Sequence, residues 1–237
     1  MKTRMIIIFL MLLNFLISPS CFAEEAGVNT FKITNNPEAV SAGSGFNQQG
    51  YYTFRPDLRK CLSPLCGGFF VKAVNQALTR CANGSRQAEC YVASLNNRKN
   101  FDISSATLFQ GAINSRIYKE FGNLGVFAVK AAFSSSTDAV GAGLFVGLEN
   151  NGIVCVTTPC FSADQYVLNK SKIRAISGID LEKVGASELL LNEALSIIAK
   201  GGILIASGVN MQTEEATGKG ITFVADQFYL PIEPNTQ

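Results

Sequence analysis

Short apolar runs recur along the chain from residue 50 onward, separated by glycine, proline and polar residues. They are rich in aromatic and β-branched side chains, a composition typical of β-strands. We predict a first set of five strands in the segments 51–54, 69–74, 91–95, 108–113 and 126–133. A second set of five follows in the segments 143–148, 165–168, 175–181, 203–206 and 222–230.

One segment has a helical period instead. Its apolar face consists of Leu190, Leu191, Ala194, Leu195 and Ile198. Positions three and four apart share one face of a helix, so this spacing predicts a helix between the third and fourth strands of the second set. Ser187 suits the N-cap, and Lys200 followed by Gly201 suits the C-terminal end. Residues 98–107, which stand in the same place in the first set, show no helical period and predict a loop or a single turn.

Both strand sets are built around the same cysteine motif. The pairs Cys61–Cys66 and Cys155–Cys160 each bracket a proline turn, 94 residues apart. Asn169 stands where Asn75 stands in the first set, and the last strands match at an offset of 96. We therefore predict an internal duplication, with β-repeat 1 at residues 50–135, a linker at 136–142 and β-repeat 2 at 143–232.

The strand order also suggests an architecture. A helix between strands three and four of a five-stranded unit is the order found in OB-type barrels. The sequence thus predicts a β-rich α+β protein made of two tandem related β-repeats, with one helix in the second. Small OB-like barrels are one arrangement of these repeats, and two antiparallel sheets merged into a sandwich are the other.

The N-terminus has the pattern of an export signal. Lys2 and Arg4 precede a 13-residue run, Met5–Ile17, that is apolar except for Asn14, and a stretch of small residues ends at Ala23. The apolar run is too short for a typical membrane span and fits a secretory signal peptide. We predict a signal peptide at residues 1–23, cleavage after Ala23, and a secreted or periplasmic protein. A lipoprotein attached through Cys21 and a buried N-terminal helix are the alternatives. We predict that residues 24–49 form a flexible lead-in and that residues 233–237 form a short tail.

The cysteine content predicts disulfides. Six cysteines follow the signal peptide, and an even number in an exported chain indicates an oxidised framework. Local spacing favours the pairs Cys61–Cys66, Cys81–Cys90 and Cys155–Cys160, among the many pairings that six cysteines allow. The chain has no histidine, and four-residue spacings containing proline do not match common zinc motifs. We therefore predict no metal and no cofactor.

Catalytic motifs are scarce. Without histidine, Ser-His-Asp and Cys-His mechanisms are excluded. Gly141-Ala142-Gly143 precedes a predicted strand, so it lacks the helix that a phosphate-binding loop requires. Glu214 and Glu215 lie in a segment that predicts a solvated polar loop. The sequence thus favours a binding protein over an enzyme.

Charge is balanced overall but uneven along the chain. The mature chain has 18 basic and 18 acidic side chains, which gives no general attraction to nucleic acid. Residues 50–135 hold 11 basic against 4 acidic side chains, whereas 143–232 hold 6 against 9. The candidate binding surface consists of Arg55, Arg59, Lys60, Lys72, Arg80, Arg86, Arg98 and Lys99, interleaved with Tyr51, Tyr52, Phe69 and Phe70. Such a surface suits an acidic protein or an anionic envelope component; a solvated face with core aromatics is the alternative.

Two motifs resemble a known family. The run 51–75, with Arg59-Lys60-Cys61 and Ser63-Pro64-Leu65-Cys66-Gly67-Gly68, resembles an uncharacterised family of secreted bacterial proteins, a domain of unknown function. The run 152–160 is similar to its second signature, with Phe161 where the family has another proline. The resemblance covers roughly residues 50–230. It implies an exported bacterial protein and supplies no substrate, cofactor or catalytic residue.

Three functional hypotheses follow. The first is an exported, disulfide-stabilised, non-enzymatic binding or envelope-associated protein. The second is a secreted inhibitor of the protease-inhibitor type that presents the Leu62–Leu65 or Ala82–Glu89 loop rigidly, since bridged loops reduce the ordering cost of binding. The third is a hydrolase that relies on carboxylates alone.

Overall fold

The computed structural model describes residues 50–215 and 217–235. The predicted signal peptide and lead-in lie outside these residues. The described chain is β-rich with one α-helix, as predicted.

The first half of the described chain contains ten strands. They are β1 (Gly50–Pro56), β2 (Phe69–Ala73), β3 (Thr79–Arg80), β4 (Arg86–Gln87), β5 (Cys90–Val92), β6 (Ser94–Asn96), β7 (Leu108–Asn114), β8 (Ile117–Tyr118), β9 (Gly122–Asn123) and β10 (Val126–Ser135). The four shortest, β3 with β4 and β8 with β9, form two small hairpins outside the main sheet. These hairpins were not predicted, because two-residue strands leave no period in the sequence.

The second half contains six strands and the helix. They are β11 (Leu144–Asn150), β12 (Ala163–Val167), β13 (Ile173–Ile176), β14 (Gly178–Asp180), α1 (Glu188–Ala199), β15 (Leu204–Glu215) and β16 (Gly218–Pro231), with one 3₁₀ turn at Glu182–Val184. Helix α1 begins as predicted, since the Ser187 side chain accepts a hydrogen bond from the backbone N–H of Leu190.

One sheet of twelve strands joins the two halves. Its continuous order is β13-β12-β11-β15-β16-β10-β7-β1-β2-β5, and β10 pairs with β16 at the centre. The central pairs are Phe133 with Pro231, Ser134 with Leu230 and Ser135 with Tyr229. This path is open at both ends, so separate OB-like barrels remain a prediction.

The pairing pattern is the same in both halves. In the first half β1 pairs with β2 and β7, β7 pairs with β10, and β6 runs parallel to β10. In the second half β11 pairs with β12 and β15, β15 pairs with β16, and β14 runs parallel to β16. Each of these five strands of one half therefore has a counterpart with equivalent neighbours in the other.

Each half has its own apolar core. The first core consists of Val71, Val92, Phe101, Phe109, Phe127, Val129 and Ala132. The second is larger and includes Leu148, Ile176, Leu204, Phe223 and Phe228, with Ala194 of α1 packed into it. Leu195 was predicted on the buried face of α1, but it is 50% exposed because the helix rests on the core mainly through Ala194 and its neighbours.

The predicted linker is tied to β16. Buried Gln227 donates hydrogen bonds to the carbonyls of Thr137 and Ala139, at 3.1 and 2.8 Å. The preceding residue on the strand, Asp226, accepts a hydrogen bond from the backbone N–H of Gly143 at 2.8 Å. Residues 137–143 are therefore held against the sheet.

The β15–β16 hairpin is longer than predicted. Its strands run well beyond the predicted segments 203–206 and 222–230. Glu214 faces Lys219 across the hairpin with 3.6 Å between their charged atoms. The segment predicted as a polar loop is thus strand, because cross-strand pairing extends a sheet even where side chains are polar.

Candidate functional site

All three predicted disulfides are present: Cys61–Cys66, Cys81–Cys90 and Cys155–Cys160. Two of them close equivalent loops between the first two strands of each half. We call residues 57–68 the first clip and residues 151–162 the second clip. Disulfides of this kind persist in oxidising compartments, so they fit an extracellular or periplasmic protein.

The first clip is fixed by bonds from inside and outside the loop. Its ends join where the Asp57 N–H donates to the Gly68 carbonyl at 2.9 Å. Its middle is held where the Tyr91 hydroxyl donates to the Pro64 carbonyl at 2.8 Å. The loop is therefore anchored to β5 as well as closed by its own disulfide.

Beside this clip, arginines stack on aromatic rings. Arg55 on β1 and Phe70 on β2 are cross-strand partners, and the guanidinium lies 4.0 Å from the ring centre. The Arg59 guanidinium lies 5.2 Å from the same ring and 5.5 Å from that of Tyr91. Phe70 and Tyr91 meet edge to face with 5.7 Å between ring centres. We call these four residues the arginine–aromatic surface.

The surface continues toward the β8–β9 hairpin. The hydroxyls of Ser94 and Tyr118 are 3.2 Å apart, which places Tyr118 beside the strand that follows Tyr91. The Arg116 guanidinium lies 5.2 Å from the Tyr118 ring. Cation–aromatic contacts thus extend from β1 to the far hairpin of the first half.

Carboxylates hold both arginines in place. Arg59 donates two hydrogen bonds of 2.8 Å to Asp57, whose side chain is 1% exposed. The hydrogen bonds from Arg59 hold the pKa of Asp57 below its ordinary value. Arg55 donates to Glu89 at 2.7 and 2.9 Å. Within the described residues the Nη1 groups of both arginines make no hydrogen bond, so each keeps one donor edge for a ligand.

Two concave regions meet at Arg55 and Phe70. A shallow depression of about 490 Å³ is lined by these two residues and by residues 56–59. A groove of about 750 Å³ runs on from it, between β2 and the segment 140–143. Lys72 lines the groove and forms no ion pair with any described residue. An extended ligand could therefore contact the stacked arginine and a free ammonium group together.

The structure gathers only part of the predicted basic cluster. Arg55, Arg59 and Lys72 come together, whereas Lys60 is exposed in the first clip. Arg80 and Arg86 face each other across β3 and β4, and both are exposed. Arg98 and Lys99 lie in the turn after β6, where the Lys99 ammonium is 6.0 Å from the Phe101 ring. Among the described residues, no hydrogen bond, ion pair or ring contact links these last five basic side chains to the arginine–aromatic surface.

Most of the predicted surface aromatics belong to the core instead. Tyr51 is buried, and burial raises its pKa to about 12. Tyr52 meets Phe127 edge to face, and Phe69 packs against the first core. Phe70 lies on the opposite face of β2 from Phe69, because successive side chains alternate along a strand. The same rule could have identified Tyr91, which lies between buried Cys90 and Val92.

The equivalent site in the second half is acidic. Glu149 and Asp164 stand 94 residues after Arg55 and Phe70 and are likewise cross-strand partners. The Tyr166 hydroxyl donates to Glu149 at 2.9 Å, and the pKa of Tyr166 is raised to about 12 by burial and then by this carboxylate. The two halves therefore present different chemistry at the same position of the same scaffold.

Two structural absences concern the described residues alone. Within residues 50–215 and 217–235, no three cysteine, aspartate or glutamate side chains come together as metal ligands. Over the same residues, no helix has the length and apolar character needed to cross a membrane.

Comparison with known proteins places the chain in a family. The sequence pattern of that family matches residues 50–235, which take in both halves, both clips and the arginine–aromatic surface. No curated protein and no solved structure matches the chain. The chain belongs to the family described as a domain of unknown function, DUF6748.

Proposed function

We propose that this chain is an exported, disulfide-stabilised binding protein that recognises a carboxylated polysaccharide of the cell envelope through the arginine–aromatic surface. The observation that carries the proposal is the pair of arginines stacked on Phe70, each fixed by a carboxylate and each with a donor edge left over. Guanidinium groups held in this way bind carboxylates with little ordering cost.

The aromatic rings and the groove support a saccharide as the ligand. Sugar rings have apolar faces that stack on aromatic side chains, and Phe70 and Tyr91 offer two such rings side by side. The adjoining groove suits an extended chain. Lys72 in that groove adds a cation for a second carboxylate along the polymer.

The strand pairing supports the same location. We infer that each half is an OB-type unit and that the two arose by duplication, because both have the same pairings between five strands, including a parallel pair. OB-type units bind oligosaccharides and oligonucleotides on their second and third strands and the loop before them. Phe70, Tyr91 and the first clip occupy those places. This support is by analogy of fold, and the chemistry of the surface carries the proposal.

Titration calorimetry with an oligogalacturonate as the carboxylated probe tests this function. We expect binding that weakens as salt is raised, and no binding of a neutral maltooligosaccharide. Phe70→Ala should weaken binding about tenfold or more, because it removes the ring under both arginines. The double variant Arg55→Gln/Glu89→Gln should do the same while leaving no unpaired carboxylate. Arg98→Gln, a basic residue away from the surface, serves as the control. Oligogalacturonate binding that neither Phe70→Ala nor the double variant changes would contradict the proposal.

Export has a separate test. We propose that residues 1–23 are removed, so the protein recovered from the periplasm or culture medium should begin at Glu24. Its intact mass should lack the signal peptide and show all six remaining cysteines oxidised. A mass that includes residues 1–23, or a lipid on Cys21, would contradict cleavage after Ala23.

A specific feature favours one second candidate, a secreted protease inhibitor. Leu62 lies in the braced first clip and is 72% exposed, a high value for a leucine. A rigid loop with an exposed apolar side chain resembles the way inhibitors present a residue to a protease pocket. A panel of serine and cysteine proteases tests this candidate: inhibition lost in Leu62→Asp supports it, and no inhibition of any protease rejects it.

A further inference from the structure

The acidic pair in the second half has an unmatched charge. Glu149 and Asp164 are directly opposite each other on β11 and β12, an arrangement that disfavours a sheet when both are ionised. Hydroxyl and amide groups of Tyr166 and Asn151 contact them. No Lys or Arg of the described residues forms an ion pair with either carboxylate. A cation from outside the molecule would relieve the repulsion.

Apolar side chains flank this pair on the second clip. Val154 is 92% exposed and Val156 is fully exposed, with Ile153 beside them. No charged residue occurs from residue 150 to residue 163. The backbone N–H groups of Gly152 and Ile153 donate hydrogen bonds to the side-chain oxygens of Asn150 and Asn151, at 2.8 and 3.1 Å. Together with the Cys155–Cys160 bridge, these bonds hold the loop. An ordered loop that exposes adjacent aliphatic side chains indicates a contact surface.

The first clip offers the complementary surface. Leu58 and Leu62 are exposed there, and Leu58 lines the shallow depression together with Arg55 and Arg59. Each half thus combines a clip that exposes aliphatic side chains with charged residues beside it, basic at Arg55 and Arg59 and acidic at Glu149 and Asp164. Interfaces commonly place apolar residues at the centre and complementary charges around them.

We propose that the second clip of one copy, with Glu149 and Asp164, docks on the arginine–aromatic surface and first clip of a second copy. The occupant is a second copy because this chain itself carries the matching charges and apolar loop. Since the two docking faces differ, the contact is head to tail and leads to a closed ring or a growing chain. The inference rests on the proposed function, because both require the arginine–aromatic surface to accept carboxylates. An oligogalacturonate should therefore compete with self-association.

Sedimentation velocity of the oxidised mature protein tests the inference. We expect species larger than the monomer that grow with protein concentration and dissociate at high salt or on addition of oligogalacturonate. Arg55→Glu and Glu149→Arg should each weaken association about tenfold or more. An equimolar mixture of the two variants should regain it, because Glu149 of the first faces Arg55 of the second. This recovery also shows that both variants are folded. Glu193→Arg makes the same charge change on exposed α1 and should leave association intact.

The outcomes separate this inference from the proposed function. A protein that stays monomeric at every concentration and salt, yet binds oligogalacturonate, overturns self-association alone. Association that neither Arg55→Glu nor Glu149→Arg weakens also overturns it. A monomer that fails to bind oligogalacturonate overturns both. In the expected case, Glu149→Arg loses self-association but keeps oligogalacturonate binding, whereas Arg55→Glu loses both.

Discussion

Asn75 and Asn169 hold the two halves together, since the side chain of each makes the same three hydrogen bonds to the backbone of the other half. The Asn75 side chain accepts from the Phe145 N–H at 3.0 Å and donates to the Phe145 carbonyl at 2.7 Å. Asn169 does the same to Tyr51, which precedes Phe145 by 94 residues, at 2.7 and 2.8 Å. Each amide also donates at 2.9 Å to the carbonyl of the residue that precedes the other asparagine. Both residues adopt a left-handed backbone, with φ near +60°.

Asn75→Ala or Asn169→Ala should therefore destabilise the protein by about 2–4 kcal/mol, since each loses three hydrogen bonds and leaves their backbone partners unpaired. Urea unfolding measures the change in the free energy of unfolding. Asn100→Ala is the matched control, because Asn100 has φ of 55° but is exposed and outside this junction. A loss for Asn75→Ala no larger than for Asn100→Ala would show that the side-chain bonds contribute nothing.

Two glycines on equivalent strands should not tolerate a methyl group. A Cβ on Gly111 of β7 would lie 2.2 Å from the Ala128 carbonyl oxygen, and one on Gly208 of β15 would lie 2.2 Å from that of Val224. Gly111→Ala and Gly208→Ala should each cost about 1–3 kcal/mol in thermal or urea unfolding, because neighbouring strands must move apart. Gly84→Ala introduces backbone strain without a close contact and should cost less. Equal losses for all three would contradict the steric account.

The Asp57–Arg59 pair should make stability depend on pH. The pKa of Asp57 is lowered in the folded state, so its contribution is present above the ordinary aspartate value of 3.8 and is lost as the pH falls through the folded value. Asp57→Asn should thus be less stable than the natural protein at neutral pH. The difference between their melting temperatures should narrow as the pH falls below 3.8. Melting temperatures of both proteins from neutral pH into acid measure this. Asp138→Asn, at an exposed aspartate, should leave the profile unchanged; a constant gap for Asp57→Asn would contradict the linkage.

We expect both clips to contribute to stability but only the first clip to contribute to oligogalacturonate binding. Replacing Cys61 and Cys66 together by serine should weaken oligogalacturonate binding, because the first clip carries Arg59 and borders Phe70. Replacing Cys155 and Cys160 together opens a loop of the same length, so the loop-entropy loss of roughly 2–3 kcal/mol should be similar. Calorimetry should find unchanged oligogalacturonate affinity in the second variant. Equal loss of affinity in both would contradict a recognition role specific to the first clip.

Local signals in the sequence were sufficient for much of the fold. Cysteine spacing predicted the three bridges, and the Ser187 cap with its apolar period predicted α1. Local signals could not predict the β10–β16 junction, because cross-strand pairs such as Ser134 with Leu230 join residues far apart in the chain. The length of β15 was underestimated for the same reason: its polar end is strand because β16 pairs with it.

The candidate site was predicted in part. Charge counting identified Arg55 and Arg59, and it also selected Arg80, Arg86 and Arg98, which lie elsewhere on the first half. The ion pair of Arg55 with Glu89 spans 34 residues and has no local signal. Strand alternation separates outward Phe70 from the core residue Phe69, but only when the register is known.

Amide chemical shifts during titration test the central claim most directly. The mature protein, labelled with ¹⁵N, is titrated with oligogalacturonate, and each backbone amide is followed. We predict saturable shifts at Arg55, Phe70 and Tyr91 and in the first clip, with no change at the equivalent strand positions Glu149 and Asp164. Shifts centred on the second half, or no saturable shift anywhere, would contradict recognition by the arginine–aromatic surface.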